Sequence, residues 1–426
     1  MARAPRHLLI PQIDRQKLHP QFLELVGSRK LRSARFMLQQ AFERMPVRDG
    51  GFAKDFQSTE FNTRLFELFV SELLQENGAG FTVTGTQPDF EAAVDGFDFT
   101  LECVTVNPTK VDGKAPAYRQ TNPRDADMAD LRNRVINDIP TRFGGALFSK
   151  RDRRFTKDRL AYWELPHSRD KPFLFAVQTM HEDGALDFSG SALATYLYGE
   201  VSTPAWDDAG NLIIKQQKAR DHIKPNGEPI PSAFFDYEGT EHISGVLWSN
   251  NGTVEKFLRM AFEGPFPDDD IVAFRVGTES DPDPNAHVPQ TFAYHVGAGP
   301  GGETWGEGCI LFHNPNALHP LPLDLLKTVV NAHIDQAGRY VENIPAGPHP
   351  FHSKTLVAQG PAEIAAAERR IALYLEAMRF DTPEAIDCSK AWWGGFCGEG
   401  PEKTYRSDSL ESDADSPGSG DGHRCP

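Results

Sequence analysis

The stretch that most constrains the fold is residues 87–108, QPDFEAAVDGFDFTLECVTVNP. Residues 97–106 alternate as a strand, with Phe97, Phe99, Leu101 and Cys103 on one face and Asp98, Thr100, Glu102, Val104 and Val106 on the other. Asp95-Gly96 before it is a two-residue hairpin signal, and residues 89–94 supply the partner strand. A further run, 81–86, alternates ahead of these, and Asn107-Pro108 stops the last strand. Adjacent strands then carry Asp89 and Glu102, two acids able to share a divalent metal. A register slip of one residue would present Asp98 and Glu91 instead.

Around this centre the chain reads as alternating helices and strands. Residues 58–77 form the clearest helix, capped by Ser58 or Thr59 and ended by Gly78. Its apolar residues cover most of the circumference, so it packs on two sides, and Asn62 and Glu72 point into the apolar arc, needing partners there. Glu60, Arg64 and Glu67 pair along its polar arc. Residues 28–45 are an amphipathic helix opening with Arg29, Lys30, Arg32 and Arg35, which either face solvent or touch nucleic acid. After a polar loop at 109–124, helices are predicted at 125–139, around DRLAYWEL, and at 189–199, with a buried strand at 171–180. Residues 200–235 are hairpin-like. Residues 242–260 carry a strand, an Asn-Gly turn and a further strand or helix. Strands at VAFRVG and TFAYHV precede helices at 321–334 and 361–380. From about 399 the chain is Ser/Asp/Gly-rich, the composition of a disordered tail.

Bulk properties exclude some classes. No apolar run approaches the roughly 20 residues that span a bilayer, so no membrane partner is expected. The N-terminal apolar patch is too short for a secretory signal, and a cytoplasmic location follows. The five cysteines, Cys103, Cys309, Cys388, Cys397 and Cys425, show no zinc spacing and read as reduced thiols. A net charge of −16 argues against a nucleic-acid coat protein. The charge is uneven, however. Residues 1–55 hold eleven Lys/Arg against five Asp/Glu, and 150–159 (KRDRRFTKDR) are basic. An acidic nuclease with a locally basic groove remains compatible with these numbers.

The order helix (58–77), three strands, helix, strand (171–180), with Pro88-Asp89 and then Glu102-x-Val104, resembles the PD-(D/E)XK restriction-endonuclease-like superfamily, in a divergent bacterial branch. The resemblance is most specific over 58–108 and extends weakly to about 260. It implies an α/β restriction-endonuclease-like core over 58–262. A helical extension (1–57), a C-terminal α/β region (263–398) and an acidic tail (399–426) would be additions. It implies metal-dependent phosphodiester hydrolysis of nucleic acid, DNA before RNA, in defence or repair. Asp89, Glu102 and the backbone carbonyl of Cys103 would hold Mg²⁺ or Mn²⁺, hard cations that take oxygen ligands. Glu67 (or Glu60) would complete the site. The motif expects a lysine where Val104 stands. Lys110, Lys150, Lys157 and Gln178 are the candidates to replace it, with Lys110 placed in the catalytic set beside Asp89, Glu102 and Glu67. If no cation replaces it, the fold becomes an inactive module that binds nucleic acid or protein.

Other motifs are weaker. Gly297 to Gly302 spells G-x-G-x-x-G, but no helix N-terminus follows to receive a pyrophosphate. His295, His313 and His319 lack helical ligand spacing and read as loop or core residues. No nucleophile elbow is present.

Overall fold

The computed structural model describes residues 7–46, 51–83, 87–107 and 137–377. Short breaks interrupt the last stretch at 156, 181–184, 188–189, 225, 265–269, 282, 284, 287–288 and 299–301. Lys110, the helix expected at 125–139, three of the cysteines and the acidic tail lie outside the described residues.

The hairpin forms as read. Strands β1 (Gly80–Val83), β2 (Phe90–Val94) and β3 (Phe97–Val106) make an antiparallel meander. Its β2–β3 turn places Asp95 at φ 50° and Gly96 at φ 83°, the left-handed pair a two-residue hairpin requires. Strand β4 (Phe173–Thr179) then lies parallel to β3, pairing Glu102 with Phe175 and Val104 with Val177. Parallel strands need a crossover, and the described part of this one is helix α5 (Ile139–Arg151). Preceding helices are α1 (Pro20–Gly27), α2 (Arg32–Arg44), α3 (Phe52–Gln57) and α4 (Phe61–Glu76).

The main sheet does not stop at β4. Strand β9 (Gly245–Trp248) pairs parallel to β4, followed by β12 (Ile310–His313), β13 (Val330–Ile334) and β14 (Tyr340–Asn343). The sheet therefore has eight strands among the described residues, three of them from beyond residue 262. A hairpin of β5 (Glu200–Trp206) and β6 (Leu212–Lys218) follows α6 (Ser191–Tyr198), and β7 (His222–Ile223) pairs with β8 (Pro229–Ile230). A second sheet joins β10 (Ile271–Glu279), β11 (Gln290–His295) and β15 (Pro350–Gln359), with α7 (Val254–Glu263) before it and α8 (Gly360–Ala377) after it.

Each face of the main sheet has its own core. Phe99, Leu101 and Cys103 face α2, α3 and α4. Val104, Phe175, Val177 and Val246 face α5 and α6 through Ile139, Phe143, Leu147, Leu193 and Tyr196. Helix α4 is buried almost throughout, as its apolar circumference required. Glu72 meets Arg44 at 2.5 Å.

Several expectations are corrected. Helix α4 begins at Phe61 without a side-chain cap, because Ser58 instead closes α3, its hydroxyl donating to the Asp55 carbonyl. Helix α5 itself was not legible, since Pro140 and Gly144-Gly145 weaken its pattern. Pro140 is tolerated in a first helical turn. Gly144 is required because a Cβ there would lie 2.7 Å from the Tyr196 hydroxyl. The helix expected at 321–334 is absent. Leu325, Leu326 and Val329 are buried in turns, and residues 330–334 pair with β12 as strand. Short apolar runs fit either state, and pairing decides. The 28–45 helix is a 3-10 turn followed by α2, and its cations serve the chain itself. Arg35 donates to the carbonyls of Leu25 and Ser28, Arg29 pairs with Asp270, and Lys30 with Glu363. Among the described residues no helix is long and apolar enough to cross a membrane.

His19 makes this packing pH-sensitive. It caps α1, accepting from the Gln21 amide through Nδ1, and stacks on Phe61 with ring centroids 5.1 Å apart. Burial lowers its pKa to about 4. A depressed imidazole pKa means the folded state gains relative stability above the unfolded value near 6.5 and loses it as pH falls toward about 4. The fold is expected to lose roughly 2 kcal/mol through His19 between pH 7 and pH 5. Denaturant midpoints at the two pH values should show a smaller drop in His19→Asn, which keeps a capping side chain.

Candidate active site

Strand β3 and the segment leading into β2 bring the two predicted acids together. The Cys103 backbone N–H donates to Asp89 Oδ2 at 2.8 Å, tying the side chain just before β2 to the residue after Glu102. Glu102 is buried, on the α5 side of the sheet. Its Oε1 accepts from Lys150 Nζ at 2.6 Å and from the Tyr162 hydroxyl at 2.9 Å. Its Oε2 is buried with no hydrogen-bond partner.

The cation opposite Glu102 is thus Lys150, from the last turn of α5. Val104 explains why the strand does not supply it. Its side chain is buried beneath the Ile139, Phe143 and Leu147 stripe of α5. A lysine there would have to bury its ammonium among these apolar groups. Lys150 follows Leu147 by three residues, on the same flank of the helix, and its side chain keeps 23% exposure. Gln178 is unavailable, since its amide brackets the Gly252 backbone in both directions, at 2.8 and 3.1 Å. Lys157 is exposed, and no contact with the acids is seen.

Glu67 is near but engaged. Both of its carboxylate oxygens accept from Arg64, at 3.1 and 2.8 Å, and Arg64 also reaches Asp55 at 2.8 Å. Its charge still bears on Asp89. Burial, then the negative charges of Glu102 and Glu67, push the Asp89 carboxyl well above its usual range, against the Cys103 N–H and Lys150. Glu60 is exposed at the start of α4. The Cys103 thiol is free and buried, and burial raises its pKa.

Tyr162 was not singled out from the sequence, and no local signal marks it. It follows the Phe155–Leu160 bridge, in a 3-10 turn, and stacks on Phe173. Burial and then Glu102 raise its phenol, so it remains a donor to the carboxylate. Beyond Lys150 the segment that follows α5 exposes Arg153, Arg154, Lys157 and Arg159.

The donor set suits a hard divalent cation. Two carboxylates lie close enough to interact, Glu102 on β3 and Asp89 just before β2. Glu102 has a buried oxygen lacking a partner, and burial followed by the neighbouring negative charges raises Asp89. Among the described residues no group of three or more His, Cys, Asp or Glu side chains is placed to hold a metal ion. Mg²⁺ commonly uses only one or two protein carboxylates, filling the rest with water and phosphate oxygens. The three histidines do not converge as ligands, as His313 is a core residue bonded to Asn331 at 3.0 Å and His295 is exposed.

Comparison with protein-family models, with curated proteins and with solved structures returned no match.

A raised carboxyl pKa means stability is fully present below the ordinary carboxylate range and is lost as pH rises through the folded value. At neutral pH in chelator, Asp89→Asn is therefore expected to raise the melting temperature, by about 2 °C. A differential scan checks this, and a lower melting temperature would mean that Asp89 is compensated as an anion.

Proposed function

We propose that the chain is a divalent-metal-dependent nuclease, acting on DNA in preference to RNA, built on a restriction-endonuclease-like core. The observation that carries this reading is the convergence of Asp89, Glu102 and Lys150. The supporting context is the order α4, β1–β3, α5, β4, which follows the helix, three strands, helix, strand of that core. The alternative, an inactive binding module, was motivated by Val104. Lys150 favours the active reading, because its ammonium reaches Glu102.

A bound divalent ion supplies charge neutralisation at the phosphate and hydroxide near neutral pH. Asp89 and Glu102 would hold it, with the Cys103 carbonyl as a further oxygen. Lys150 places an ammonium where negative charge develops on the phosphate, the fixed cation that such a step needs. Tyr162 is a positioning residue that fixes the Glu102 carboxylate. Glu67, held by Arg64, sets the electrostatics of Asp89. The exposed cations after α5 lie where a nucleic-acid backbone would pass, and contacts of that kind make affinity fall with salt.

The test is cleavage of labelled duplex DNA, single-stranded DNA and RNA in Mg²⁺ or Mn²⁺. Glu102→Ala and Asp89→Ala are expected to abolish cleavage. Lys150→Met should lower its rate at least 100-fold while leaving metal binding, read by calorimetry, in place. Tyr162→Phe should cost less than about tenfold. Absence of cleavage on every substrate by the folded wild type, or equal cleavage by the variants, would defeat the proposal.

A further inference from the structure

A sizeable recess lies far from these acids. A cavity of about 700 Å³ opens between α6, the β5–β6 hairpin, the end of β9, the start of β12 and strand β14. Its size suits a small-molecule ligand. The register places it on the same face as the acids. Glu102 pairs with Phe175, Phe175 with Val246, Val246 with Phe312, Phe312 with Ala332, and Ala332 with Glu342. Five strand spacings of about 4.8 Å put Glu342 roughly 24 Å from Glu102 along one transverse row.

Its walls mix aromatic residues (Tyr198, Trp248, Tyr340 and Phe351) with aliphatic ones and with polar ones that include Glu200, Gln216, Arg339 and Glu342. Trp248, Tyr198 and Tyr340 line it, with Tyr198 and Tyr340 centroids 5.5 Å apart. The Tyr198 hydroxyl is already committed to the carbonyls of His313 and Ala332. Glu342 accepts from the Tyr340 hydroxyl at 2.5 Å through Oε1, and no protein donor to its Oε2 is found among the described residues. Glu342 lines the cavity and is exposed, and desolvation raises its carboxyl. His349, also in the wall, has a buried Nδ1 without a hydrogen-bond partner.

We propose that this cavity binds an amino-bearing nucleobase, as a nucleoside, with the Glu342 carboxylate receiving the base's hydrogen-bond donors and the aromatic rings covering its faces. Flat heteroaromatic rings stack on Tyr and Trp. A carboxylate offers lone pairs on both oxygens and takes a two-donor fork best. Guanine presents such a fork through its N1–H and 2-amino group, so it is the preferred base. Uracil, with one ring N–H between two carbonyls, is the disfavoured one.

The test uses the full chain, without metal and without nucleic acid. Guanosine, adenosine, cytidine, uridine and indole are titrated by calorimetry, with thermal shift as a second readout. Guanosine is expected to bind tightest and uridine at least tenfold more weakly. Glu342→Gln is expected to weaken guanosine by about tenfold or more and to leave uridine and indole nearly unchanged. Ile344 lies at the cavity mouth and is 53% exposed, so Ile344→Trp should weaken every ligand without touching the core. No binding of any nucleoside at millimolar concentration would overturn the proposal. So would equal affinity for guanosine, uridine and indole, or guanosine binding unaffected by both substitutions. Since no cleavage is measured, these outcomes stand apart from the success or failure of the nuclease reading.

Discussion

The parallel pairing of β3 to β4 is the constraint on which the site depends. Once it forms, β3 is covered on both faces, by α4 on the Cys103 side and by α5 on the Glu102 side. Every polar group on the strand must then find a partner within the protein. Asp89 is answered by the Cys103 amide, and one oxygen of Glu102 by Lys150 and Tyr162. The unanswered groups, Glu102 Oε2 and the repelled charge of Asp89, are where ligand chemistry has something to gain. An isolated buried carboxylate is costly to keep ionised, so a fold that retains two side by side gives up stability that a bound cation can restore.

A second concentration of buried charge holds the rest of the molecule to this core. Lys256 and Arg259 on α7 and Arg275 on β10 converge on Glu303, and Arg275 also pairs with Glu307. All five side chains are nearly inaccessible. The three cations hold the Glu303 carboxyl below its usual range despite burial. Arg259 and Arg275 extend the network to Thr355 and Ser353 on β15. Such a network is weak evidence for net stability, but removing one member strands the others, typically at about 3–5 kcal/mol. The second sheet is thereby fixed to α7, and α7 to the main sheet through the Gly252 backbone that Gln178 brackets.

The central hairpin was legible because its cues are local. Asp95-Gly96 sets the turn, and strict alternation assigns each residue of β3 to its face. The long apolar helix before it was legible for the same reason. What escaped was decided at a distance. Helix α5 carries Pro140 and two glycines that argue against a helix locally, and Gly144 is explained only by Tyr196, fifty-two positions later. Ile139, Phe143 and Leu147 do recur at helical spacing and could have marked the helix, and with it Lys150. Residues 330–334 became a strand because β12 offered an edge. Tyr162 reaches Glu102 through a turn whose geometry no short motif encodes.

The net charge of −16 is weak evidence against a polyanionic ligand. Charges separated by more than a Debye length, about 8–10 Å at physiological salt, are largely screened from one another. A phosphate approaching Lys150 responds chiefly to what lies within that distance. Residues 150–159 contain six Lys/Arg against two Asp, and Arg153, Arg154, Lys157 and Arg159 are exposed there. Lys150 pairs with Glu102 and offsets its charge, while the exposed residues keep the surface beside it positive. The same local balance separates two environments along one segment: Lys150 turns inward from the helix to the buried Glu102, and the cations that follow it stay in solvent.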